Sequence, residues 1–84
     1  MIPIHQLLSR IRWDREFGRA DFEIGYYDRV LAGIIRVPFS ALVFPPDDHF
    51  AILALDREGV FHSVPLHRIR EVYKDGELIW HRQH

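Results

Sequence analysis

The sequence predicts an α+β fold: an N-terminal amphipathic helix packed on a curved antiparallel sheet of about six short strands, the sheet either open or curled into a small, partly open barrel. Three observations carry this reading. From Pro3 to Trp13 the apolar residues recur with the period of a helix. From Asp21 onward the period drops to two, with Phe22, Ile24 and Tyr26 alternating with Glu23, Gly25 and Tyr27. Near the end, Asp75-Gly76 separates two short apolar runs, and Asp-Gly is the strongest short hairpin signal because both central residues of a type I′ turn need positive φ.

Taken in order, Ile4, Leu7, Leu8 and Ile11 fall at i, i+3, i+4 and i+7 and form one stripe, with Pro3 at the first helical position. Arg10 and Arg12 lie in the last turn, where they complement the negative end of the helix dipole. Asp14 to Arg19 is a polar connection. The first strand follows, and Gly25 inside it signals a bulge or a close approach of neighbouring atoms. A second strand runs from Ile34 to Phe39, Ala41 to Phe44 is a short strand or turn, and Pro45-Pro46-Asp47-Asp48 is an exposed loop. His49 to Leu55 is almost wholly apolar, as expected of a central strand covered on both faces, and Val60 to Leu66 is its partner across the Asp56–Gly59 turn. In the final hairpin Lys74 opposes Glu77, Tyr73 opposes Leu78 and Glu71 opposes Trp80. This register gathers Ile69, Tyr73, Leu78 and Trp80 on the core face. The organisation is a single domain over residues 1–84, a helix at 3–13 and an antiparallel meander at 21–82.

Composition narrows the function classes. The 84 residues are 48% hydrophobic and 13% aromatic, enough for one core. No cysteine is present, which removes disulfides and thiolate metal sites. The chain shows neither a leader pattern nor an apolar run of membrane-spanning length, so a cytoplasmic protein that does not enter the membrane is expected. The net charge of −1 speaks against a nucleic-acid binder held by bulk electrostatics. The basic residues are, however, ten arginines and a single lysine, and the planar guanidinium fork suits local phosphate recognition.

Six histidines invite a metal or acid–base reading, but no pair has a metal-ligand spacing with a third ligand on regular structure, so neither metal nor cofactor is expected. His62 and His67 form the one pair able to act as a metal-independent phosphoesterase or ribonuclease, since imidazole titrates nearest neutrality. Nucleophile triads have little material, with few serines and no threonine, asparagine or cysteine. Binding is therefore expected rather than catalysis. His67-Arg68, beside a proline and ahead of the rigid hairpin, is the place where the residues themselves point to a polar site.

Two stretches resemble a known family. Phe22-Glu-Ile-Gly-Tyr-Tyr-Asp-Arg29 and Val64-Pro-Leu-His-Arg-Ile-Arg-Glu-Val-Tyr-Lys-Asp-Gly-Glu-Leu-Ile-Trp80 are similar to a small, mostly archaeal family described as the RNA cyclic group end recognition domain. The opening helix, ending Arg-Ile-Arg-Trp-Asp14, fits as well. The resemblance implies an RNA-binding module for ends carrying a 2′,3′-cyclic phosphate, acting in RNA processing or repair, with the RNA 3′ end and an RNA-processing enzyme as partners. Carried over by motif, the ligand-binding residues are Tyr26, Asp28, Arg29, His67 and Arg68, with Asp28 orienting the others. The alternatives are the His62/His67 phosphoesterase and a protein-interaction module that docks through Phe44-Pro45-Pro46 or a strand edge. A purely structural account would make Asp28 and Arg68 a cross-strand ion pair and place Tyr26 and Trp80 in the core.

Overall fold

A computed structural model describes residues 2–83. Helix α1 (Ile4–Trp13) is followed by seven strands: β1 (Phe22–Asp28), β2 (Gly33–Pro38), β3 (Leu42–Val43), β4 (Ala51–Leu55), β5 (Phe61–Pro65), β6 (Ile69–Lys74) and β7 (Glu77–His81). They form two antiparallel sheets, ordered β2-β1-β6-β7 and β3-β4-β5. The α+β expectation holds. The sheets do not close into a barrel: each keeps two edge strands, and the chain leaves the first sheet after Pro38 and returns to it after Pro65.

The helix forms where the stripe predicts it, and Ile4, Leu7, Leu8 and Ile11 are all buried. Pro3 sits one position earlier than expected, as the N-cap in an extended conformation (φ −64°, ψ 149°), and its carbonyl accepts the N–H groups of Gln6 and Leu7. The buried helical stripe packs into one cluster with Phe22, Ile24 and Tyr26 of β1, Ile69 and Val72 of β6, Trp80 of β7 and, from the second sheet, Ile52, Ala54 and Val64. The Trp80 indole Nε1–H donates to the carbonyl of Ile2 at 2.8 Å and ties the start of the chain to the last strand. No described helix is long and apolar enough to cross a membrane.

Two β-bulges account for the differences from the expected registers. Between β1 and β6, Gly25 faces Glu71 and Tyr26 faces Ile69, so Arg70 is the extra residue, and both Ile69 and Val72 turn inward. Between β6 and β7, Val72 faces Trp80 while Tyr73 faces Leu78, which makes Ile79 the extra residue. Trp80 therefore opposes Val72 instead of Glu71. Tyr73 and Leu78 leave the core face, and Leu78 is 44% exposed. Gly25 has a reason to be glycine: a Cβ there would lie 2.7 Å from Glu71 Oε1 and 2.9 Å from Ile34 Cγ2. The close neighbours are side chains and not backbone.

The outer face of the first sheet carries a polar cluster among exposed Ile34 and Leu78. Arg36 pairs with Glu23 and lies 3.7 Å from the Tyr73 ring centroid, while the Tyr73 hydroxyl donates to Glu71. In the second sheet β4 is central, as predicted, but only one of its faces is covered. Ile52 and Ala54 are buried, Ala51 and Leu53 are half-buried, and Leu55 is exposed.

The closing hairpin has the type I′ signature, with Asp75 at φ 51° and Gly76 at φ 82°. Asp75 also exchanges hydrogen bonds with Asp21, donating its N–H at 2.7 Å and accepting at Oδ1 at 2.9 Å, so the turn is fastened to the start of β1. Space around Gly76 is open, so the cost of replacing it is conformational. Gly76→Val is expected to destabilise the protein by at least about 1 kcal/mol, because a β-branched residue resists positive φ. Thermal melting of the variant beside the parent checks this, and an unchanged melting temperature contradicts it.

Candidate functional site

The site is organised by a short break in the chain between the two sheets. Pro65 (φ −59°, ψ 141°) ends β5 and leads into a single 3-10 turn, Leu66–Arg68, which closes when Ile69 N–H bonds to the Leu66 carbonyl. Three further hydrogen bonds fix this turn. Leu66 N–H donates to Phe50 O at 2.8 Å, Arg82 Nε donates to Ile69 O at 2.9 Å, and Arg82 Nη2 donates to Leu66 O. Consecutive side chains of the turn diverge: His67 lines one concavity and Arg68 another.

His67 belongs to the larger cleft, of about 790 Å3, between α1, the loop before β4 and the turn itself. The helix contributes His5, Ser9 and Arg12, which lie at i, i+4 and i+7 on a stripe beside the buried one. The loop adds Phe44, His49 and Phe50, and the last strand adds Arg82 from just beyond its end. The Arg12 guanidinium lies 4.2 Å from the Phe44 ring centroid and 4.8 Å from that of Trp13, so the cation is held against aromatic faces. Arg82 is half-buried, and burial, followed by the nearby Arg70 charge, lowers its pKa from the ordinary guanidinium value. It still carries its charge at neutral pH. The single carboxylate of the lining is Asp48, whose Oδ1 already accepts the Phe50 N–H at 2.9 Å. The cleft thus combines guanidinium and imidazole groups with apolar walls.

Arg68 belongs to a smaller pocket of about 270 Å3, shared with Tyr26, Asp28 and Arg29 from the end of β1 and with His62 and Ser63 from β5. Asp28 Oδ1 accepts the N–H groups of Val30 (2.8 Å) and Leu31 (3.1 Å), shaping the turn that carries Arg29. Tyr26 is buried, and its phenol pKa is raised by that burial first and then by Asp28 and Asp56. His62 Nε2 lies 2.7 Å from Asp56 Oδ2, while Asp56 Oδ1 accepts from Glu58 and Val60, both at 2.9 Å. The bond to His62 and the backbone donors hold the Asp56 carboxyl below its usual range.

Four of the residues singled out in the sequence, Tyr26, Asp28, Arg29 and Arg68, therefore share one pocket, while His67 lies across the turn in the other. Asp28 and Arg68 do not form the ion pair of the structural account; Asp28 Oδ1 is taken up by the backbone of its own turn. Tyr26 and Trp80 are core residues, as that account has them. The His62/His67 pair is separated, each imidazole lining a different concavity. Among the described residues no group of three or more His, Asp or Glu is placed to hold a metal ion. Sequence reasoning did not assign Arg12, Arg82, His5, His49 or Phe50 to a binding site, and it took Phe44-Pro45-Pro46 as a surface for docking a protein. The His5–Ser9–Arg12 stripe was a usable signal, as was Arg82 two residues after the buried Trp80.

A small α+β protein with a cationic, aromatic-walled cleft is the class that fold and site define. Residues 1–82 match the family model described as the MJ1316 RNA cyclic group end recognition domain, and the chain belongs to that family. The family's name describes recognition of RNA ends that carry a cyclic group, with which an RNA-binding module is consistent. No solved structure matches the chain.

The Asp56 carboxyl gives a pH expectation. A carboxyl whose folded pKa is depressed contributes stability that is present above its unfolded value, 3.8 here, and is lost as pH falls through the folded value. Asp56→Asn keeps an oxygen for the turn but not the charge facing His62. The melting temperature of the parent should exceed that of the variant at pH 5, and the gap should close on acidification below the ordinary carboxylate range. A gap independent of pH would refute the assignment.

Proposed function

We propose that this protein binds RNA 3′ ends carrying a 2′,3′-cyclic phosphate, with the terminal nucleotide in the larger cleft, and serves RNA processing or repair without turning the end over. The observation that carries this reading is the composition of the cleft. Arg12, Arg82 and His67 share a space of about 790 Å3 with Phe44 and Phe50, and its one carboxylate is engaged by backbone. That volume suits a nucleotide. A cyclic phosphate is a compact monoanion matched by one or two guanidinium forks and an imidazole, and an aromatic wall gives a base a face to stack on. Apolar walls also favour the monoanion over an open phosphate dianion, which costs more to dehydrate. The family's name points the same way. In this reading the protein works beside an RNA-processing enzyme that supplies the chemistry.

The test is a binding titration with one oligonucleotide bearing a cyclic phosphate, an open phosphate or a diol at its 3′ end. The cyclic form should bind tightest. Loss of the charge-assisted contacts should weaken the diol by about ten-fold to more than a hundred-fold. His67→Ala and Arg12→Ala should reduce the preference while leaving the far-ultraviolet dichroism intact. Equal affinity for the three ends, or none for any, overturns the proposal.

A further inference from the structure

The small pocket on the far side of the Leu66–Arg68 turn has a chemistry of its own. Arg29 and Arg68 bring two guanidinium groups to a space of about 270 Å3, too small for a nucleotide but ample for a phosphate. Both carboxylates near it are already engaged. Asp28 accepts two backbone N–H groups, and Asp56 accepts two more and holds His62. Neither is ion-paired to Arg29 or Arg68, and two guanidinium groups against the single lining carboxylate, Asp28, leave the pocket a positive balance. The Asp56 contact fixes the His62 ring by Nε2 and leaves Nδ1 for another partner, and Ser63 adds a hydroxyl to the lining. The pocket is thus arranged for a single anion held by forked donors, not for a base or a sugar.

Its position relative to the cleft follows from the turn. His67 and Arg68 are neighbours in the chain, with Cα atoms about 3.8 Å apart, yet they serve opposite concavities. The two concavities therefore adjoin the same short turn, one lined by His67 and the other by Arg68. We infer that the Arg29–Arg68 pocket is a second phosphate site, which takes an internal phosphodiester of the same RNA strand upstream of its 3′ end. The inference rests on the proposed function of the cleft. It makes the ligand a short oligonucleotide, with the terminal nucleotide read on one side of the turn and the backbone gripped on the other.

Three ligands ending in the same 2′,3′-cyclic phosphate separate the two ideas: a mononucleotide, a tetranucleotide, and tetranucleotides in which one internal linkage at a time is replaced by an uncharged methylphosphonate. The tetranucleotide should bind about ten-fold or more tighter than the mononucleotide. One particular methylphosphonate should abolish most of that gain with the unaltered protein. Arg29→Ala and Arg68→Ala should each erase most of the gain and leave mononucleotide affinity unchanged, and the slope of log affinity against log salt should become shallower by about 0.7 for the lost contact. If the mononucleotide does not bind at all, the reading of the cleft fails. If it binds but the tetranucleotide binds no tighter, or if every methylphosphonate is tolerated, the second site is refuted while the cleft stands. Arg68→Ala weakening the mononucleotide and the tetranucleotide equally would also refute it.

Discussion

The half-buried guanidinium of Arg82 is the fastening on which both concavities depend. It reaches from just past the last strand and donates to the carbonyls of Leu66 and Ile69, at the two ends of the turn by which the chain returns from the second sheet to the first. A 3-10 turn of one cycle has few hydrogen bonds of its own, and a guanidinium with two carbonyl acceptors supplies what the short turn lacks. The charge is held there at some cost, since burial and Arg70 both act against it. The same side chain faces the larger cleft. The scaffold and the site therefore share a residue, and the position of His67 relative to the helix is set by the final strand.

What could be read from the sequence was local. The α1 stripe, the alternation of β1 and the Asp75-Gly76 turn are each determined by residues close together in the chain, and each is where the sequence places it. The register of β6 was not legible beyond Tyr73, because the bulges at Arg70 and Ile79 are settled by pairing with distant strands and by which side chains the core can accept. The division of His67 from Arg68 was hidden for a related reason. Read as continuous strand, the two would already point to opposite faces, but only the turn after Pro65 sets His67 against α1 and the loop before β4, and Arg68 against the end of β1 and β5. The cleft is drawn from α1, a loop, the turn and the chain after β7, so no single stretch announces it.

Six of the ten arginines of a chain with net charge −1 find an explanation in this division of labour. Arg10 bonds Asp14 and lies over Phe17, Arg36 bonds Glu23 and lies over Tyr73, and Arg82 holds the turn. These are uses for which lysine, a flexible point charge, is a poor substitute. Arg12, Arg29 and Arg68 line the two concavities. Positive charge is thus concentrated in a few short-range positions and offset elsewhere, so the surface as a whole has little to attract a long polyanion.

The pairing of β1 with β6 sets the order in which such a protein can assemble. Phe22 lies opposite Lys74, and everything from β2 to the Leu66–Arg68 turn is enclosed between them, the second sheet included. The β4–β5 hairpin closes across a few residues, whereas the first sheet requires the ends of a long loop to meet before it gains anything. Chains dominated by distant pairings fold slowly, on the millisecond-to-second scale. The Arg82 bonds to the turn need the chain beyond β7 in place, so the geometry of the two concavities is tied to the docking of the last strand.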